Sequence, residues 1–151
     1  MSYRFFGGFW RALPGSFRRF FIRRVQSTFT ASAAAVVINA EGNVLILHHL
    51  LRPVTGWGLP GGFIDAFEQP SEAIARELKE ETGIDIDNIR MLFVRTLGRH
   101  IEILFAATAT EEGEVRSSEI DHLGWYSFDQ IPEKLPTHDK RTIERVLKGE
   151  I

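Results

Sequence analysis

The chain of 151 residues contains no cysteine. Disulfides, thiolate metal sites and a cysteine nucleophile are therefore excluded, and any metal must be held by oxygen or imidazole. No stretch approaches the roughly 20 apolar residues that span a bilayer. The longest bland run, residues 31–38, is too short and reads as a strand. Acidic residues are missing from the first 24 positions, which carry Arg4, Arg11, Arg18, Arg19, Arg23 and Arg24. The other 127 residues hold the remaining 12 of the 18 Lys and Arg and all 20 Asp and Glu, a net charge of −8. An acidic body argues against broad nucleic-acid binding, which needs clustered positive charge. It suits a site that gathers divalent cations, with a phosphate substrate arriving as its metal complex.

What is present divides into an arm and a body. Residues 1–24 interleave aromatics with arginines and are broken by Gly7-Gly8 and Pro14-Gly15. After that turn Ser16 could cap a short helix, on which Phe17, Phe20, Phe21 and Val25 share one side. This basic aromatic arm is expected to pack on the domain or on a second subunit, giving a homodimer. Peripheral contact with anionic lipid is the second reading. No small-residue cleavage site follows a long apolar run, which argues against a secretory signal and for a cytoplasmic setting.

Residues 25–151 show no repeat or linker and are expected to form one domain. Two β-favouring runs flank residues 39–43, a hairpin. The Gly- and Pro-rich segment that follows reads as loops, with a short strand near Trp57. Residues 71–82 predict a helix closed by Gly83, with Ile74 and Leu78 facing inward. Strands are expected over residues 91–97, 100–110 and 123–128, and a second helix over 137–148 ends at Gly149. Strands around one central helix, with another at the C-terminus, imply an α/β fold with a mixed sheet between helices.

Glu77, Glu80 and Glu81 fall at i, i+3 and i+4, so helical geometry sends their carboxylates from one face within a turn. Three like charges this close repel unless a cation joins them. Oxygen ligands at this spacing favour a hard ion, Mg²⁺ or Mn²⁺. Glu68 approaches from the preceding loop, and Gly61 and Gly62 could expose a carbonyl to the metal. Read alone, the glutamates could equally be a solvated helix end. The wider spacing decides against that: Gly62, five residues, Glu68, seven residues, then Arg76-Glu77-Leu78-Lys79-Glu80-Glu81-Thr82-Gly83-Ile84.

This pattern resembles the signature of the Nudix hydrolase family at every specified position, over 23 residues. The resemblance implies an α/β/α sandwich and a Mg²⁺-dependent pyrophosphatase acting on a small nucleotide-like substrate. It implies Glu77, Glu80 and Glu81 as metal ligands, with the carbonyl of Gly61 added. Glu68 would act through water or through Arg76, which braces loop against helix. Two departures stand out: Phe67 where the family commonly has Gly, and Gln69 before Pro70 where Ser or Thr is frequent.

Family members cleave a nucleoside diphosphate linked to another moiety, so a nucleoside triphosphate, ADP-ribose or a nucleotide sugar is the expected substrate. A nucleotide-binding regulatory module without turnover is the alternative. The downstream array of the NADH-cleaving subgroup is absent. The general base is expected from a loop after the central strands, where Glu111, Glu112 and Glu114 are favoured over Glu119; Glu80 and Glu81 are also candidates. Trp57, Arg52, Arg99 and Phe67 are the candidate substrate contacts. The five histidines form no compact motif and are assigned to core or surface.

Overall fold

A computed structural model describes residues 14–17, 27–51 and 55–151 of the chain. Its centre is β1 (Thr30–Ile38), whose alternation decides the layering. Ala33, Ala35 and Val37 point to one face and Val36 to the other. The turn at residues 39–43, closed by hydrogen bonds between Asn39 and Asn43, returns the chain into β2 (Val44–His49). Here Leu45 and Leu47 join the first face, and Val44 and Ile46 the second. Both strands are buried on two sides, which is why they read as nearly continuous apolar runs.

Seven strands make one mixed sheet. β1 runs parallel to β6 (His100–Thr108) along its whole length and antiparallel to β4 (Gly61–Phe63). β5 (Asp87–Leu97) pairs antiparallel with β6 and forms an edge. β2 lies between β3 (Trp57–Gly58) and β7 (Ile120–Tyr126), antiparallel to both. Helix α1 (Pro70–Thr82) covers the first face through Ala73, Ile74 and Leu78. Helix α2 (Thr137–Leu147) covers the second through Ile143, with Leu59 and Leu135 alongside. Arg95 on β5 ties the sheet to α2: its guanidinium donates to Asp139 at 2.9 Å and pairs with Glu102 on β6. This is the expected α/β sandwich.

Several boundaries differ from the sequence expectation. β4 falls in a stretch expected to be loop, because Gly61 and Gly62 carry no side chains to advertise a strand. β5 begins at Asp87 rather than at Met91, since register shifts near Arg90 and Phe93 break its alternation. β7 begins at Ile120 rather than Leu123. Ser16 lies within a helical turn over residues 15–17, with the Phe17 N–H bonded to the Pro14 carbonyl at 2.9 Å, rather than at the cap. The rest of the basic aromatic arm lies outside the described residues, and with it the expected subunit or lipid contact. Among the described residues no helix is long and apolar enough to cross a membrane.

Candidate functional site

Helix α1 is begun and ended by local chemistry. Pro70 occupies its first turn, where its fixed φ and missing N–H cost nothing. The Glu72 carboxylate accepts from the Gln69 N–H at 3.0 Å, a role a Ser or Thr at position 69 is not needed for. At the other end Gly83 takes φ 75°, and its N–H bonds back to Lys79. With Ile74 and Leu78 fully buried beneath, Glu77 is carried toward β4, Glu80 toward solvent and Glu81 toward β2.

Arg76 organises this end of the molecule. Its Nε and Nη2 donate to the two oxygens of Glu68, at 2.7 and 3.0 Å, and Nη2 also reaches the Phe63 carbonyl at 3.1 Å. Nη1 donates to Glu77 at 2.9 Å and to Glu80 at 3.3 Å. A planar fork of this kind satisfies several carboxylates at once. The Arg76 bond, with help from the Asp65 N–H, holds the Glu68 carboxyl down at about 2. Glu68 also pushes the Arg76 guanidinium above its ordinary value.

Glu77 rests against the glycine pair. A β-carbon on Gly62 would lie 2.2 Å from its carboxyl carbon, so only glycine leaves this cradle open. Gly61 sits at φ 151°, and a β-carbon there would lie 2.2 Å from the Ala33 carbonyl oxygen. Burial raises the Glu77 pKa against the opposing pull of Arg76, and the charges of Glu80 and Glu119 raise it further. Glu81 is turned inward, 5% exposed, with its Oε1 3.5 Å from Nδ1 of His49 at the end of β2. The three helix carboxylates therefore differ in setting: Glu77 is half-buried, Glu80 faces solvent and Glu81 is buried. Among the described residues no three His, Asp or Glu side chains are gathered closely enough to hold an ion. Arg76 holds Glu77 and Glu80, and His49 lies against Glu81, so each of the three helix carboxylates has a partner of its own.

The family model described as NUDIX domain matches residues 28–146. The chain belongs to the Nudix family. It is 30% identical over 109 residues to a MutT-like protein of Streptomyces ambofaciens, covering 70% of this chain and 69% of that one. It is 32% identical over 122 residues to the 8-oxo-dGDP phosphatase of Mus musculus, covering 77% of this chain but only 38% of the relative. Among solved structures, the MutT NUDIX hydrolase of Burkholderia pseudomallei superposes with a TM-score of 0.68 at 27% identity, over 78% of this chain and 97% of that one. The NUDIX domain of Shewanella oneidensis NrtR, solved with ADP ribose, shares the fold across both whole chains at 18% identity and a TM-score of 0.72.

Within this Nudix domain the loop glutamates divide. The segment around residues 111–116 is bound to the C-terminal end of α1: Glu114 N–H to Thr82, Arg116 N–H to Glu81 carbonyl, and the Glu111 carboxylate to the Asp85 N–H at 3.0 Å. Glu114 pairs with Arg116, and the Glu112 carbonyl accepts from the Trp125 indole at 2.9 Å. These contacts occupy the side of the helix end that carries Lys79. Glu119, ranked behind them in the sequence, is the one whose charge Glu77 feels.

Of the expected substrate contacts, Arg52 lies outside the described residues. Trp57 is half-buried against the α2-side core, edge-on to His48, His122 and Tyr126. Arg99 is exposed at the tip of the β5–β6 hairpin, where its carbonyl accepts from the Thr30 N–H. Phe67 is fully exposed at φ 71°, so it is not buried packing. Its left-handed backbone is the conformation a glycine adopts freely, which accounts for the residue more usual there. The sequence assigns His49 and His100 only to core or surface and gives no sign of their partners. The ring nitrogens of His100 meet Thr30 at 2.7 Å and Ser32 at 2.8 Å, and its ring meets Phe63. Only the fold brings these residues together from three strands.

Proposed function

We propose that this chain is a Mg²⁺-dependent hydrolase, able also to use Mn²⁺, that cleaves a phosphoanhydride bond in a nucleoside diphosphate-linked substrate. Nudix-type phosphoanhydride hydrolysis is the family activity. The observation that carries the finer reading is the seating of Glu77 in the Gly62 cradle, within one helical turn of Glu80 and Glu81 and within electrostatic reach of Glu119.

The donors fit a hard divalent cation. All are carboxylate or carbonyl oxygens, and the negative charges on this side of α1 exceed what Arg76 neutralises. In this reading Glu77, Glu80 and Glu81 hold the ion, with the Gly61 carbonyl beside them. Glu68 acts through Arg76, because both of its oxygens are already engaged. A bound cation supplies neutralisation of the phosphoryl oxygens and an acidified water.

The chain's own groups supply placement and proton transfer. Arg76 fixes the loop on the helix so that the carboxylates keep their spacing. Glu119, with its charge beside Glu77, is the preferred acceptor for the proton of attacking water, ahead of Glu111, Glu112 and Glu114. Phe67 is offered as a contact for the nucleoside side of the substrate and Arg99, also exposed, as a contact for its phosphates, with Trp57 as support for the sheet beneath. The cytoplasm, which holds both Mg²⁺ and nucleotides, is the setting this reading favours.

A panel of nucleoside triphosphates, 8-oxo-dGDP, ADP-ribose and nucleotide sugars, incubated with Mg²⁺ or Mn²⁺ and resolved by product analysis, tests the proposal. Cleavage of one class, lost on chelation and in Glu80→Gln or Glu81→Gln, is the expected result. No metal-dependent cleavage of any member would overturn it.

A further inference from the structure

We infer that His49 is a positioning residue for Glu81, holding that carboxylate in the orientation from which it serves the metal site proposed above, a reading on which the inference rests. The odd positions of β2 face α1, and after the fully buried Leu45 and Leu47 the next place in the series is taken by an imidazole. A polar ring in an apolar series costs free energy unless it finds a partner. Its Nδ1 lies 3.5 Å from Oε1 of Glu81, and both side chains are only 7% exposed. A carboxylate at this depth is likewise costly unless paired, and the His49 imidazole lies against it.

The ring is held from both sides of its own backbone. The His49 N–H donates to the Gly56 carbonyl at 2.8 Å, and the next N–H, of Leu50, donates to the Glu119 carbonyl at 2.8 Å. A register shift between His48 and His49 makes this possible: His48 faces His122, but His49 faces Ile120, so Glu119 arrives directly beyond it. Asp121, the extra residue, is turned to His48 at 2.5 Å. One strand end thereby sets the place of two acidic groups, Glu81 through the imidazole and Glu119 through the backbone. Arg76 reaches Glu68, Glu77 and Glu80; His49 completes the set by attending to Glu81.

The test is Mn²⁺ binding, read from the electron paramagnetic resonance of unbound ion, in the wild type, His49→Leu, His49→Gln, Glu81→Gln and the double variant His49→Leu/Glu81→Gln. Groups that orient metal-ligating carboxylates are worth about 10- to 100-fold in metal affinity. His49→Leu is expected to weaken binding by about that much, while His49→Gln, which keeps a donor, recovers most of it. The double variant should bind no more weakly than Glu81→Gln alone. Additive losses, or normal Mn²⁺ binding by His49→Leu with a raised KM for nucleotide, would overturn the inference. Should His49→Leu fail to fold, His49→Gln alone and combined with Glu81→Gln carries the same test of non-additivity. Normal Mn²⁺ binding by Glu81→Gln would instead remove the metal reading itself, a separate outcome.

Discussion

Arg76 grips Glu68 across the junction of loop and helix with two parallel hydrogen bonds, Nε to Oε1 at 2.7 Å and Nη2 to Oε2 at 3.0 Å. The seven residues between them are thereby closed into one loop, and the same guanidinium fixes Glu77. A lysine carries the charge but not the fork. Arg76→Lys is expected to destabilise the fold by about 1.5–3 kcal/mol, the usual worth of hydrogen bonds to charged groups. Chemical denaturation of both proteins without metal measures it, and an unchanged midpoint would show the fork to be incidental.

The same pair sets a pH dependence. Glu68 has its carboxyl held at about 2, below the ordinary 4.5, chiefly by Arg76. A lowered carboxyl stabilises the native state fully above its unfolded value and loses that contribution as pH falls toward the folded one. The melting temperature of Glu68→Gln should therefore lie below that of the wild type at pH 7, and the gap should close between pH 4.5 and 2. A gap independent of pH over that window would mean that Glu68 acts by shape rather than charge.

Much of this is legible in the sequence. Helix α1 announces itself through Pro70, the Ile74–Leu78 spacing and Gly83, and the proposed metal site through Glu68, Arg76 and the three glutamates, because these lie close in sequence and obey helical geometry. β1 and β2 are legible as continuous apolar runs. Contacts between residues far apart in the chain are not. Nothing in the spacing of His49 and Glu81 foretells their meeting, or that the charge of Glu119 reaches Glu77; the register shift between β2 and β7 sets both. Local charge density likewise favours the 111–114 cluster as the base, although that segment is taken up by the end of α1.

The two adjacent glycines should respond differently to alanine. At Gly61 the new methyl would meet backbone, at a φ of 151° that L residues rarely adopt. At Gly62 it would meet the carboxylate of Glu77, which can swing away. Gly61→Ala is expected to cost several kcal/mol or prevent folding, as strained and overpacked sites do. Gly62→Ala should keep its stability within about 1 kcal/mol while losing Mg²⁺ affinity. Thermal unfolding beside metal titration separates the two; equal destabilisation would show that the cradle has no special bearing on Glu77.

Glu119 and Glu112 offer a direct contrast between location and local sequence. Glu119 affects the ionisation of Glu77, whereas Glu112 meets Trp125 through its backbone carbonyl. If Glu119 accepts the proton of attacking water, Glu119→Gln should lower kcat by about 100-fold or more, and Glu112→Gln should leave it nearly unchanged. Steady-state rates on whichever nucleotide the panel identifies decide the matter. The reverse order would return the role to the 111–114 segment.

Phe67 is the remaining anomaly, an aromatic ring fully exposed on a left-handed backbone at φ 71°. That conformation costs a non-glycine residue about 1–2 kcal/mol. Glycine removes the strain but gives the unfolded chain more freedom, worth about 0.4–1 kcal/mol in the other direction. The difference favours Phe67→Gly by about 0.5–1 kcal/mol, so this variant should melt at a higher temperature than the wild type. A strained residue persists where its side chain is of use, and the position adjoins Glu68 in the loop that Arg76 holds. Phe67→Gly is therefore expected to raise KM for the preferred substrate while leaving kcat and metal affinity near their starting values. A more stable variant with an unaltered KM would leave the ring without a part in substrate binding.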